Sequence, residues 1–160
     1  MKVNMEVMEA MLYFWTAVSQ REKVSESYLR SIADRDEMKK TYVEEFNAES
    51  VRLVLSAITN RELLNTSNKR ERRFWNNNMW MLEDLELMQS KIAPLKTLNL
   101  SDVKVDAHPE VTEVCFFPGQ METAVLAGST LYINFFMVHG GDQGLTVEGK
   151  PLVEYIRAYA

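Results

Sequence analysis

The chain has 160 residues, 46% hydrophobic and 26% charged, with a net charge of −5, one cysteine and two histidines. That length suits one domain of ordinary size, and the balance of apolar and charged residues argues against disorder or a fibrous repeat. Cys115 stands alone, which excludes an internal disulfide and any zinc site needing two or more thiolates, and fits a reducing compartment.

Charge is uneven along the chain. Residues 1–98 hold 15 basic and 15 acidic side chains, whereas residues 99–160 hold 3 and 8. The second part would repel phosphate and suits basic partners, although a charge of this size is also that of many plain cytosolic proteins. The longest apolar runs, residues 11–15 and 135–138, fall far short of the roughly 20 residues of a membrane span. Glu6 and Glu9 interrupt the apolar region a signal peptide needs. A soluble, cytoplasmic protein with no membrane partner is expected.

Helical spacing opens the chain. Met5, Met8, Leu12 and Trp15 form one stripe and Val7, Met11, Phe14 and Val18 its neighbour, so helix 1 buries a wide face. Its methionines suit irregular core gaps, or alternatively an adaptable groove. Ser25 or Ser27 can cap a second helix through Ile32, and Asp34 or Asp36 a third through Phe46. Asn47 marks a fresh start for Val51 to Ile58, with one helix over 36–59 as the alternative. Thr59–Glu62 and Asn68–Glu71 each place an acid three residues after a capping side chain, which predicts two more helix starts. The second opens a long helix with Phe74, Met81, Leu85, Met88, Ile92 and Leu95 on one side, ended by Pro94.

After the proline the period shortens. Leu98 to Val105 is at most a strand, and His108-Pro109 is a turn. Residues 111–117 and 121–126 read as strands joined by a tight turn at Pro118-Gly119, hence a hairpin. Thr130 to Val138, apolar on both faces, reads as the central strand. The loop His139-Gly140-Gly141-Asp142-Gln143-Gly144 leads to a strand over 145–148, and Gly149-Lys150-Pro151 introduces a terminal amphipathic segment. The expected fold is therefore α+β. An N-terminal layer of about four to five helices, residues 1–95, packs on a C-terminal antiparallel β-meander of three to five strands, residues 96–160, closed by a short helix. Because the small sheet needs the helices to cover it, one domain is expected over 1–160.

Chemistry has few places to sit. His108 and His139 occupy loops, where functional side chains concentrate, and an imidazole can act as a base near neutral pH. Asp142 lies three residues from His139, so His139, Asp142 and His108 are the catalytic candidates, at the seam between helices and sheet. The His-Gly-Gly run lacks the Gly-x-Ser-x-Gly partner of an esterase, and the glycines match no phosphate-binding spacing. The helical part has no histidine for a di-iron site, and Glu83 and Glu86 share a solvated helix face, so no metal and no cofactor is expected. The segment Lys69–Trp80 joins cations to aromatics and to Asn76, Asn77 and Asn78. Arg70, Arg72, Arg73, Trp75 and Trp80 are its binding candidates, since arginines contact phosphate and indoles stack bases. Mid-helix asparagines are poor helix formers and are expected to hydrogen-bond a buried partner unless the helix starts later.

Three functions follow, in order. The first is a non-catalytic protein-interaction or self-associating module, with a protein or a second copy as partner. The second is a small-molecule-binding domain or enzyme around His139 and Asp142. The third is nucleic-acid binding through Lys69–Trp80.

Overall fold

Side-chain caps place most helix starts in the computed structural model, which describes residues 1–160. After the short strand β1 (Lys2–Asn4), α1 (Glu6–Ser19) buries Val7, Met8, Met11, Phe14 and Trp15, so both apolar stripes are core and its methionines fill it. Ser25 accepts from the Tyr28 N–H to start α2 (Glu26–Ala33). A single turn, α3 (Asp36–Lys39), follows. Asn47 then caps α4 (Ala48–Thr59), accepting from Glu49 and Ser50 while its own N–H donates to the Ser50 hydroxyl. Residues 36–59 are thus two helices, parted by a turn in which Val43 and Phe46 bond to each other. Asn68 accepts from Arg70 and Glu71 to start α5 (Lys69–Glu83).

Three expectations about the helices fail, the first being the third helix, which stops at Lys39 instead of reaching Phe46. Thr59–Glu62 is a helix end: Arg61 turns left-handed at φ 56°, donating to Ile58 O, and the Glu62 N–H donates to Ala57 O. This double bond closes the last turn of α4, and Arg21 at φ 63° with Glu22 does the same for α1. A polar residue followed by an acid fits both ends of a helix, and the apolar run before Thr59 decides. The long helix also breaks ten residues early. Asp84 leaves the helical region and caps α6 (Leu85–Lys96) through the Leu87 N–H, while Pro94 rides inside the last turns of α6.

Strands β2 (Glu113–Phe117), β3 (Ala124–Ala127) and β4 (Thr130–Asn134) join β1 in a sheet of order β1-β2-β4-β3. Here the expected hairpin of 111–117 with 121–126 does not form. β4 inserts between β2 and β3, parallel to β2 with Cys115 opposite Tyr132 and antiparallel to β3, and β1 pairs parallel to β2. β2 and β4 bury nearly every residue and take the interior, whereas half-buried β3 takes the edge. Asn134 organises the crossing: it accepts from the Gly119 and Phe136 N–H groups and donates to Glu122 O. The predicted central strand ends there, and a 3-10 turn (Phe135–Met137) follows. A three-stranded antiparallel meander, β5 (Val138–His139), β6 (Thr146–Val147) and β7 (Lys150–Pro151), leads into α7 (Leu152–Arg157).

The fold is α+β, helices first and most strands after them, with a short closing helix. Leu100, Val103 and Val105 are buried from an irregular segment and form no strand. One hydrophobic core runs from Met5 to Ile156, so Pro94 does not divide it. No helix is long and apolar enough to cross a membrane.

Candidate functional site

Helix α5 presents three faces at three- and four-residue spacing. Phe74, Asn78 and Met81 enter the core, Arg73, Asn77 and Trp80 lie on one flank, and Trp75, Met79 and Leu82 on the other. Each flank borders a crevice. Two of the three asparagines are structural, as their helix-interior position required. Asn78 accepts from the Trp15 indole at 2.9 Å and donates to Phe74 O, while Asn77 donates to Gly119 O and Gln120 O at 3.2 and 3.3 Å. Trp15 in turn packs 5.9 Å, centroid to centroid, from both Phe135 and Phe136. The floor beside α5 is therefore held by a chain of contacts from Asn78 through Trp15 to the 3-10 turn.

On that floor lies a crevice of about 250 Å³, between α5, α6 and residues 136–140. Its apolar lining is Met81, Leu87, Phe136 and Met137, and Trp80 forms one wall while remaining 65% exposed. Its polar lining is Arg73, Asn77, Lys91 and His139, with no carboxylate among the lining residues. In a chain of net charge −5 this is a locally cationic cleft.

Lys91 is the unusual member. It is 3% exposed, its ammonium stands 4.5 Å over the Phe135 ring, and burial alone pushes its pKa down to about 8. The ion pairs of the chain leave it out. The one sealed side-chain polar atom without a partner is His108 Nε2, so the equally unpartnered Lys91 amine keeps a little exposure, and Lys91 is among the residues that line the crevice. A desolvated, unpaired cation in a cleft is costly to keep and marks a functional candidate. Lys91 was readable: with Met88, Ile92 and Leu95 it falls on the apolar stripe of α6, where an unpaired lysine is out of place.

The predicted catalytic trio does not assemble. His139 lines the crevice, but Asp142 is exposed in the following loop and outside the lining. His108 sits at the other end of the chain's second part, its ring 6.0 Å from Tyr159 and its Nδ1 3.4 Å from Glu110. No cluster of three or more His, Cys, Asp or Glu side chains forms. Cys115 is buried in β2, and desolvation raises its thiol far above the ordinary range, so it offers no nucleophile.

The predicted cationic-aromatic segment is divided among several tasks. Arg70 donates to Gln120 and Glu122 at 2.7–2.9 Å, tying α5 to the loop after β2. Arg72 is exposed, Arg73 and Trp80 face the Lys91 crevice, and Trp75 faces the opposite one. That second crevice, about 440 Å³, is mainly apolar, and its lining includes Ser19, Glu62 and the left-handed Arg21 and Arg61 at the ends of α1 and α4. A larger, open depression of about 760 Å³ lies beside residues 1–6 and 95–101, bordered by Glu6, Glu9 and Glu113. It holds no buried unpartnered group, so its size alone gives no reason to rank it above the Lys91 crevice. Comparison with family models, with curated proteins and with solved structures returns no match to this chain.

Proposed function

We propose that the chain is a binding module for a compact organic anion, taken up in the crevice between α5 and α6. The observation that carries this reading is Lys91, a buried ammonium with no counter-charge in the chain, in a cleft that Arg73 makes still more cationic. An anionic ligand would supply the missing partner, and Trp80 offers a planar wall for its carbon skeleton. A volume of about 250 Å³ restricts the ligand to a small metabolite. The free, buried Cys115 supports a cytoplasmic setting.

The test is a panel of small carboxylates in thermal-shift and calorimetric titrations. At least one raises the melting temperature of the wild type, Lys91→Met removes the effect, and Trp80→Ala weakens it without changing the stability of the free protein. Affinity falls as pH rises through about 8, where free Lys91 loses its charge. Equal responses from wild type and Lys91→Met refute the reading.

A second reading, contact with an apolar surface of another protein, draws on the crevice beside Trp75 and on Leu63 at its edge, 93% exposed. Light scattering of wild type and Leu63→Ser tests its self-associating form. A strict monomer at every concentration would end that form.

A further inference from the structure

We propose that Lys91 captures short 2-oxo acids as an imine in the α5–α6 crevice, with Arg73 holding the carboxylate, an inference that rests on the anion-site reading above. Every other lysine of the chain is exposed. Lys91 alone has its amine buried over the face of an aromatic ring, Phe135, in a crevice that Met81 and Phe136 also line, with no acceptor in the chain to hold its proton. Desolvation of this kind is one of the ways an amine becomes a nucleophile near neutral pH. With a pKa of about 8, about a tenth of Lys91 is neutral at pH 7, against about one part in three thousand for an ordinary lysine.

The crevice holds the other groups the step needs. The Nζ lone pair attacks the carbonyl carbon, a C–N bond forms, and the oxygen takes up the proton that the nitrogen gives up. This carbinolamine then loses its hydroxyl as water, with a proton delivered by His139 at the mouth, while the nitrogen lone pair closes the C=N bond as an iminium, whose N–H proton then returns to His139. Amine and ketone give imine and water, with no change of oxidation state. Asn77 spends its N–H groups on Gly119 O and Gln120 O, which leaves its Oδ1 to accept from the carbinolamine hydroxyl. The charged and titratable groups that share the crevice with Lys91 are Arg73 from α5 and His139 from β5, and no acid lines it from α6 or elsewhere. Nothing in the lining therefore pairs with the ammonium or holds its proton against loss.

Pyruvate and lactate make the test, because they are nearly the same size and only pyruvate has a carbonyl. The full-length chain is incubated at pH 7 with either acid and cyanoborohydride, and peptide mass spectrometry locates the secondary amine left by reduction of the imine. Both acids are expected to raise the melting temperature. Pyruvate alone is expected to label Lys91, by about tenfold or more over any other lysine. Lys91→Arg has no nucleophilic amine and loses the label. Labelling spread evenly over the exposed lysines overturns the proposal. So does a shift by both acids with no label on Lys91, which leaves the anion site standing. If neither acid shifts the melting temperature and no label forms, the anion-site reading falls and the imine with it.

Discussion

Replacing Lys91 by methionine should stabilise the protein. The side chain is 3% exposed and its ammonium has no ion-pair partner, so the folded state carries a desolvation penalty that the unfolded chain escapes. The fall in pKa from 10.5 to about 8 measures it. At about 1.36 kcal/mol per tenfold change in the protonation constant, the penalty is about 3 kcal/mol. Between those two pKa values the unfolded chain binds more protons than the folded one, so wild-type stability rises with pH across that window. The penalty is fully present below pH 8 and gone above 10.5. Burial raises the phenol pKa values of Tyr28, Tyr42, Tyr132 and Tyr155, the last to about 12, so their contribution is lost as pH climbs beyond 10. Wild-type stability should therefore peak between about pH 9 and 10. Methionine fills similar volume without a charge. At pH 7 Lys91→Met should gain about 2–3 kcal/mol, or very roughly 5–10 °C in melting temperature, and lose the rise between pH 8 and 10. Urea unfolding of both proteins at pH 7, 8, 9 and 9.5 measures this. A variant less stable than wild type, or two parallel pH profiles, would refute the account of Lys91.

Other outcomes follow from single contacts. Asn134→Ala strips two buried N–H groups of their acceptor and should lower stability by about 3 kcal/mol in urea unfolding. Gly119→Ala places a Cβ 2.6 Å from the Asn134 side chain and should cost about 1–3 kcal/mol. Because Asn134 is the nearer of two obstacles, the other being the Phe117 ring at 2.9 Å, the second change should cost less in the background of the first, which a double-mutant cycle reads directly. Arg61→Gly relieves a left-handed backbone at the end of α4 and should raise stability by about 0.5–1 kcal/mol in chemical denaturation.

Local chemistry was legible in the sequence, and partnership was not. Ser25, Asn47 and Asn68 announced their helices because a cap acts within three residues. The pairing of β2 with β4 across an intervening strand, and of β1 with β2 across more than a hundred residues, left no local trace. Strand patterns record which faces are buried and say nothing of which neighbour covers an edge. Asp84 lies between Glu83 and Glu86, inside a run that reads as one long helix, and its role as a cap is hidden because a capping carboxylate looks like any acid on a helix. Of the crevice lining, Arg73, Trp80 and His139 stand out in the sequence by residue type. Lysine is ordinary on a helix surface, and only the apolar stripe of α6 marks Lys91 as pointing inward. The crevice excludes Asp142 because the glycine-rich loop carries it out to solvent.

The anion-binding crevice is tested most directly by titrating Lys91 itself, through the NMR signals of its labelled ε-carbon in the free protein and in the presence of lactate. The account predicts a midpoint near pH 8 in the free protein, moving upward when the anion binds, because a bound negative charge favours the ammonium. A midpoint at the ordinary value for lysine, unmoved by lactate, would contradict it.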